Sequence, residues 1–240
     1  MCAIFGSPNV DRFKELYQAN LDRGHSAFGM VAIDGVNYNN DRAHVFKTKG
    51  IAEIDKLIQT EHIYAPIMPD KFASKCSNKS YFLGHTQAPT STAQEFDPMT
   101  SHPFEYEDWV VAHNGVLTNY NEITAGLDPF SFNVVDSSVI PAFLFFYKKQ
   151  HPTLHINDVL IHVLGSLKGT HSTWIYNKTL NKFFIARCGS TLYANLAHNE
   201  FSSTPLPGMD LIKDGDIYCY GNRKLEHVGS FSAQSPFLIL

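Results

Sequence analysis

The chain has 240 residues, 44% of them apolar and 18% charged, with a formal net charge of −4. That apolar content on so little net charge excludes a disordered chain, and the length allows one large domain or two small ones. Few and unclustered Lys and Arg argue against a nucleic-acid or anionic-membrane partner, and the longest apolar run, nine residues at 139–147 that include Pro141, is far short of the ~20 that span a bilayer.

The opening Met1-Cys2-Ala3-Ile4-Phe5-Gly6 lacks a basic start and is soon interrupted by Pro8 and Asp11, so no signal peptide is expected and the protein reads as soluble and cytoplasmic. Residues 11–23 place Phe13, Leu16, Tyr17 and Leu21 on one helical face, with Asp11 near the start and Gly24 where the helix should stop. Residues 26–33 read as a buried strand closed by Asp34-Gly35, 52–61 as a short helix and 64–79 as a loop. A short strand at 81–83 runs into Gly84-His85. Residues 86–107, with three prolines and no periodicity, read as one long loop of the kind that often serves as a lid.

A strand at 109–112 then ends in His113-Asn114-Gly115. Two helices follow, 137–149 and 156–167. The last third turns to strands at 172–176, 182–187, 191–194, 217–220 and 225–231, with 177–181 as a hairpin turn. No repeat, long linker or low-complexity tract divides the chain. The expected architecture is a single-domain α+β sandwich, two sheets covered by helices.

Four cysteines, at 2, 76, 188 and 219, show no CxxC spacing, which argues against a structural zinc site or a disulfide framework. Cys2 differs from the others by its place. Removal of Met1 would leave a thiol and a free α-amine on one carbon. With unperturbed pKa values near 8.5 and about 7.7–8.0, the pair forms a nucleophile with its own general base.

His113-Asn114-Gly115 has two readings. An Asn amide and a following Gly N–H can form a two-donor oxyanion hole, and Asn-Gly is also the strongest short hairpin signal. Residues 116–122 do not alternate like a partner strand, which weighs against the hairpin. Residues 84–91 read only as a polar strand end. Asp136, ahead of a helix, reads on its own as a cap.

Taken in order, the N-terminal Cys, Arg23-Gly24, Gly84-His85-Thr86, His113-Asn114-Gly115 with Asn119-Tyr120, Asp136, and the later run 184–193 resemble class II glutamine amidotransferases, the N-terminal-nucleophile (Ntn) glutaminase domains. The segments 202–204 and 214–216 resemble the closing strands of that domain, so the resemblance covers nearly the whole chain. It implies a four-layer αββα sandwich of two mainly antiparallel sheets, one domain over 2–240 with Met1 removed.

The resemblance also implies roles. Cys2 would attack the glutamine side-chain amide, and Asn114 and Gly115 would hold the oxyanion. Asp136 would bind the substrate α-ammonium and Thr90 its carboxylate, while Arg23 and Gly24 would place the nucleophile. Residues 87–93 would form a glutamine-covering loop. No metal or organic cofactor is implied. Gln87 departs from the family, which carries Arg there to pair with the α-carboxylate; a neutral amide offers no charge and no bidentate fork. With no second domain expected in these 240 residues, the ammonia would go to a separate synthase. An Ntn amidohydrolase acting on another amide, or a non-catalytic homologue, remains open.

Overall fold

A computed structural model describes residues 1–33, 43–54, 56–57, 81–88, 97–127 and 135–233. Within them a seven-stranded sheet runs in the order β11-β9-β10-β1-β4-β2-β3, and a six-stranded sheet in the order β13-β12-β8-β7-β6-β5. In chain order the strands are β1 (Ala3–Ser7), β2 (Ala27–Ile33), β3 (Ala43–Lys49), β4 (Tyr81–Gln87), β5 (Phe104–Tyr106), β6 (Trp109–Leu117) and β7 (Gly169–Asn177). They continue with β8 (Lys182–Cys188), β9 (Tyr193–Asn195), β10 (Glu200–Ser202), β11 (Asp210–Leu211), β12 (Asp216–Gly221) and β13 (Lys224–Ser230). Every pairing between these strands is antiparallel.

The layering follows from strand side chains pointing alternately to the two faces. Val31 of β2, Leu83 of β4, Val110 and Ala112 of β6, Trp174 and Tyr176 of β7, and Ile185 of β8 share the core between the sheets. The residues that alternate with them pack outward. Phe28, Met30 and Phe82 meet Phe13, Leu16 and Tyr17 of helix α1 (Val10–Asn20). Trp109, Val111, Ile175 and Phe184 meet helices α3 (Val139–Gln150) and α4 (Ile156–Ser166). Helix α2 (Tyr120–Gly126) packs beside α3. The Trp174 indole N–H donates to the Gly84 carbonyl at 3.0 Å and ties the two sheets together across the central core. The architecture is therefore the αββα sandwich expected from the sequence.

Several elements differ from the sequence expectation in extent. The first helix ends at Asn20 and tightens into a 3-10 turn, Leu21–Arg23; its N-cap is Asn9, whose side chain accepts from the N–H groups of Asp11 and Arg12. Residues 86–107 are not one loop: β4 runs on through Gln87, and β5 pairs with β6 to form a strand pair at the sheet edge. Nor does β6 stop before His113. It continues to Leu117 because β7 pairs with it along its full length, down to Leu117 opposite Gly169. The strand expected at 191–194 spans Tyr193–Asn195 instead. The loop at 64–79, the turn at Asp34-Gly35 and half of the 52–61 helix lie outside the described residues.

Candidate active site

Cys2 sits just before β1, in the middle of one sheet, and β6 brings His113, Asn114 and Gly115 from the other. A pocket of about 300 Å³ opens between them, lined by Cys2, Gln87, Thr100, His102, Gly115 and Asp136 among others.

The Cys2 end of the pocket is held by backbone contacts. Arg23 Nε donates to the Cys2 carbonyl at 3.2 Å. Gly24 adjoins the end of β4 so closely that a Cβ there would lie 2.5 Å from the Ala88 nitrogen. That approach lets the Ala88 N–H hydrogen-bond the Cys2 thiol. Burial is the main influence on this half-buried thiol and pushes its pKa up; the Ala88 N–H, the positive chain N-terminus and Arg23 pull it down, and Asp136 adds to the rise. A thiol raised in this way stays protonated near neutrality and depends on a base for reactivity.

The opposite wall comes from β6. Gly115 has φ of +153°, and a Cβ there would lie 2.0 Å from the Thr170 carbonyl oxygen on β7. No side chain fits, so position 115 exposes backbone toward the pocket. Asn114 is 4% exposed, and its Nδ2 donates to Ser203 Oγ at 3.3 Å. The same Ser203 oxygen accepts from Ile4 N–H at 3.0 Å, and the Ser203 N–H donates to the Ile4 carbonyl at 2.8 Å. Ser203 thereby fixes the Asn114 amide relative to the strand that carries Cys2. Sequence reading placed 202–204 only among the closing strands. A serine gives no local sign that two sheets will meet on its hydroxyl.

Asp136 begins a 3-10 turn, Asp136–Ser138, ahead of α3. Its carboxylate accepts from Leu117 N–H and Ser137 N–H, both at 2.8 Å. It thus caps backbone at the end of β6 as well as its own turn, and still faces the pocket. Behind it, His113 Nε2 lies 3.3 Å from the Thr170 carbonyl and Nδ1 lies 2.8 Å from Ser137 Oγ. The Ser137 hydroxyl also lies 3.2 Å from Asp136 Oδ1, so its single proton serves either that carboxylate or His113 Nδ1, and the His113 tautomer follows from which one it serves.

The remaining wall is the segment 97–103. Gln87 Nε2 donates to the Thr100 carbonyl at 3.5 Å, and His102 N–H donates to Gln87 Oε1 at 3.3 Å. The side chain that the resemblance matched to a carboxylate-binding arginine is engaged here with this backbone. The His102 ring stacks on His85 at 4.0 Å between centroids. Both rings are buried, as is His171; burial holds His85 and His171 down at about 3 and His102 well below its ordinary value. All three are neutral near pH 7.

The structure thus gathers Cys2, Gly115, Gln87 and Asp136 around one pocket, with Asn114 held on Ser203 beside β1 and Arg23 and Gly24 packed near Cys2. Thr90 and most of 87–93 lie outside the described residues, as does Cys76. Cys188 and Cys219 are core thiols outside any disulfide. Among the described residues no set of three or more His, Cys, Asp or Glu side chains is placed to hold a metal, and no helix is long and apolar enough to cross a membrane. A larger cleft of about 660 Å³, between Phe145 and the 152–156 turn, shares no lining residue with this pocket.

No protein-family model matches the chain. Over 179 residues it is 26% identical to glutamine–fructose-6-phosphate aminotransferase [isomerizing] of Staphylococcus epidermidis, covering 72% of this chain and 26% of that protein. Over 203 residues it is 25% identical to 7-cyano-7-deazaguanine synthase of Sulfolobus acidocaldarius, covering 80% and 40%. The chain spans well under half the length of these curated relatives. Glutamine phosphoribosylpyrophosphate amidotransferase from B. subtilis superposes with a TM-score of 0.65 at 18% identity, over 96% of this chain and 49% of that one.

The chain has the class II glutamine amidotransferase fold. A class II domain protein from Silicibacter pomeroyi, TM-score 0.52 at 11% identity, matches over 97% of this chain and its own full length. Within this amidotransferase fold, the strand that follows Cys2 lies at the centre of one sheet and His113-Asn114-Gly115 faces it from the other.

Proposed function

We propose that the protein hydrolyses the side-chain amide of a glutaminyl substrate through Cys2, after removal of Met1. The reading rests on one observation: Cys2, Gly115 and Asp136 line a single pocket. The thiol attacks the amide carbon, and the oxyanion is stabilised by the Asn114 amide and the Gly115 N–H. The freed α-amine of Cys2 takes the thiol proton and delivers it to the departing nitrogen. Ammonia leaves, and water hydrolyses the γ-glutamyl thioester to the acid. Asp136 pairs with the substrate α-ammonium, and Arg23 and Gly24 position the nucleophile. Thr90 and residues 87–93 complete the substrate enclosure.

The raised thiol pKa supports the need for an internal base. The relatives' names support an ammonia-using acceptor, so the proposal includes a separate synthase partner in the cytoplasm. A second reading, hydrolysis of a different amide by the same nucleophile, is favoured by Gln87, which carries no charge.

The test compares protein with and without Met1, each verified by intact mass, for ammonia release. Processed protein is expected to be active, and unprocessed protein and Cys2→Ala to fall to background. Equal activity with and without Met1 overturns the role of the α-amine.

A further inference from the structure

We infer that Ser137 and His113 are positioning residues for this reaction: with Asp136 they clamp the segment 114–116 at both ends and hold the two oxyanion donors in place. The inference rests on the proposed amidase reading and adds the residues that act through Asn114 and Gly115.

The clamp answers a weakness in β6. Its outer neighbour, β5, pairs only with Trp109, Val110 and Val111, so among the described strands β7 alone pairs with residues 113–117. Packing adds little at the tip, since Gly115 has no side chain and Val116 is 64% exposed. The 3-10 turn Asp136–Ser138 supplies the missing support. Asp136 Oδ2 accepts from Leu117 N–H at 2.8 Å, just beyond the donors. Ser137 Oγ lies 2.8 Å from His113 Nδ1, just before them. The two grips are joined inside the turn: Asp136 Oδ1 accepts from Ser137 N–H at 2.8 Å and lies 3.2 Å from Ser137 Oγ. One turn therefore holds β6 at positions 113 and 117 and brackets what lies between.

The Ser137–His113 bond holds whichever way its proton points. A hydroxyl both donates and accepts, so it either gives its proton to Nδ1, or gives it to Asp136 and accepts from Nδ1–H. The ring passes the constraint on to the glycine. His113 Nε2 lies 3.3 Å from the Thr170 carbonyl. A Cβ on Gly115 would meet that same oxygen at 2.0 Å and His113 Nε2 at 2.9 Å. The Gly115 backbone is thus seated between the imidazole and the β7 carbonyl, and a ring free to turn would release it. Both His113 and Ser137 are buried, so loss of the hydroxyl leaves the ring nitrogen without its partner. Displaced oxyanion donors cost rate rather than ground-state affinity, because they meet charge that develops only in the transition state.

The test uses full-length, Met1-free protein and measures ammonia release from L-glutamine, with L-glutamate as a competitive probe that meets Asp136 and forms no oxyanion. Ser137→Ala is expected to lower kcat by about tenfold, while KM and the inhibition constant of L-glutamate stay within about threefold. Ser137→Thr keeps the hydroxyl and should recover most of the rate. Ser137→Cys, of similar volume but a weak donor, should behave like Ser137→Ala and replaces it if the alanine variant does not fold. Added to His113→Leu, Ser137→Ala should cost less than about twofold more, because the ring it acts through is gone. A kcat within about twofold of wild type in both Ser137→Ala and Ser137→Cys, or an equal loss with and without the His113 ring, overturns the inference and leaves the amidase reading standing. So does a rise in KM and in the L-glutamate constant at unchanged kcat. If wild-type protein releases no ammonia from L-glutamine, the amidase reading fails and takes the inference with it.

Discussion

The two walls of the pocket are built in different ways. On the wall formed by β1 and β6, each reactive position is anchored to backbone or to another sheet: Cys2 by Arg23, Asn114 by Ser203, and Gly115 by the closeness of β7. The facing wall, 97–103, is a short segment held by Gln87, by Lys47 Nζ on the Pro98 carbonyl at 2.9 Å, and by a stacked pair of buried imidazoles. The first wall carries the geometry a fixed reaction needs, where small displacements cost rate. At position 87, where the resemblance calls for a cation, the second wall supplies a neutral amide.

The strongest way to break the second wall is acid. Histidines held neutral in the fold and free to protonate when unfolded stabilise the protein above their unfolded pKa near 6.5. That stability is lost as pH falls toward the folded values, about 3 for His85 and His171. Each contributes up to about 1.4 kcal/mol per pH unit in that window. Cooperative unfolding is therefore expected between about pH 6 and 4, measured by circular dichroism, with a milder slope in His85→Phe. A flat stability profile over that range would show that burial does not control these rings.

On the first wall, Asn114→Ala is expected to lower kcat by about 10²–10³ with little change in KM, as for loss of one oxyanion donor. A matching rise in KM would instead place Asn114 in ground-state binding. Ser203→Ala should lower kcat by roughly tenfold through the loose amide it leaves, given about 0.5–1.5 kcal/mol for a hydrogen bond. Ser203→Thr, which restores the acceptor, should recover part of that rate; recovery of melting temperature without recovery of kcat would leave Ser203 a structural residue. The smallest effect belongs to Gln87→Ala. It should cost about 1 kcal/mol of stability through the lost contacts to Thr100 and His102, raise KM a few-fold and leave kcat nearly unchanged.

Much of this arrangement could be read from the sequence. Short apolar runs at 26–33, 109–112, 172–176 and 182–187, with helical patterns at 11–23 and 137–149, implied two sheets under helices. Motif order placed Cys2, Gly115 and Asp136 in one functional set. Elements with little hydrophobic signal were missed: β3 with its half-buried faces, the three-residue β5 and β10, and α2, which has no buried residue. Their stability comes from neighbouring strands and helices that local patterning does not encode.

The sequence by itself indicated the layers, singled out Cys2 beside the initiator methionine as the candidate nucleophile, and put a neutral Gln at position 87 where the resemblance expects Arg. Only the tertiary structure decided what those residues touch. Asn114 is oriented by a serine 89 positions away, and β6 continues past Gly115 because β7 lies against it. Gln87 meets the backbone of 100–102 instead of standing alone in the pocket. Each of these is a pairing between distant segments, and the chain order holds no local trace of it until the sheets have packed.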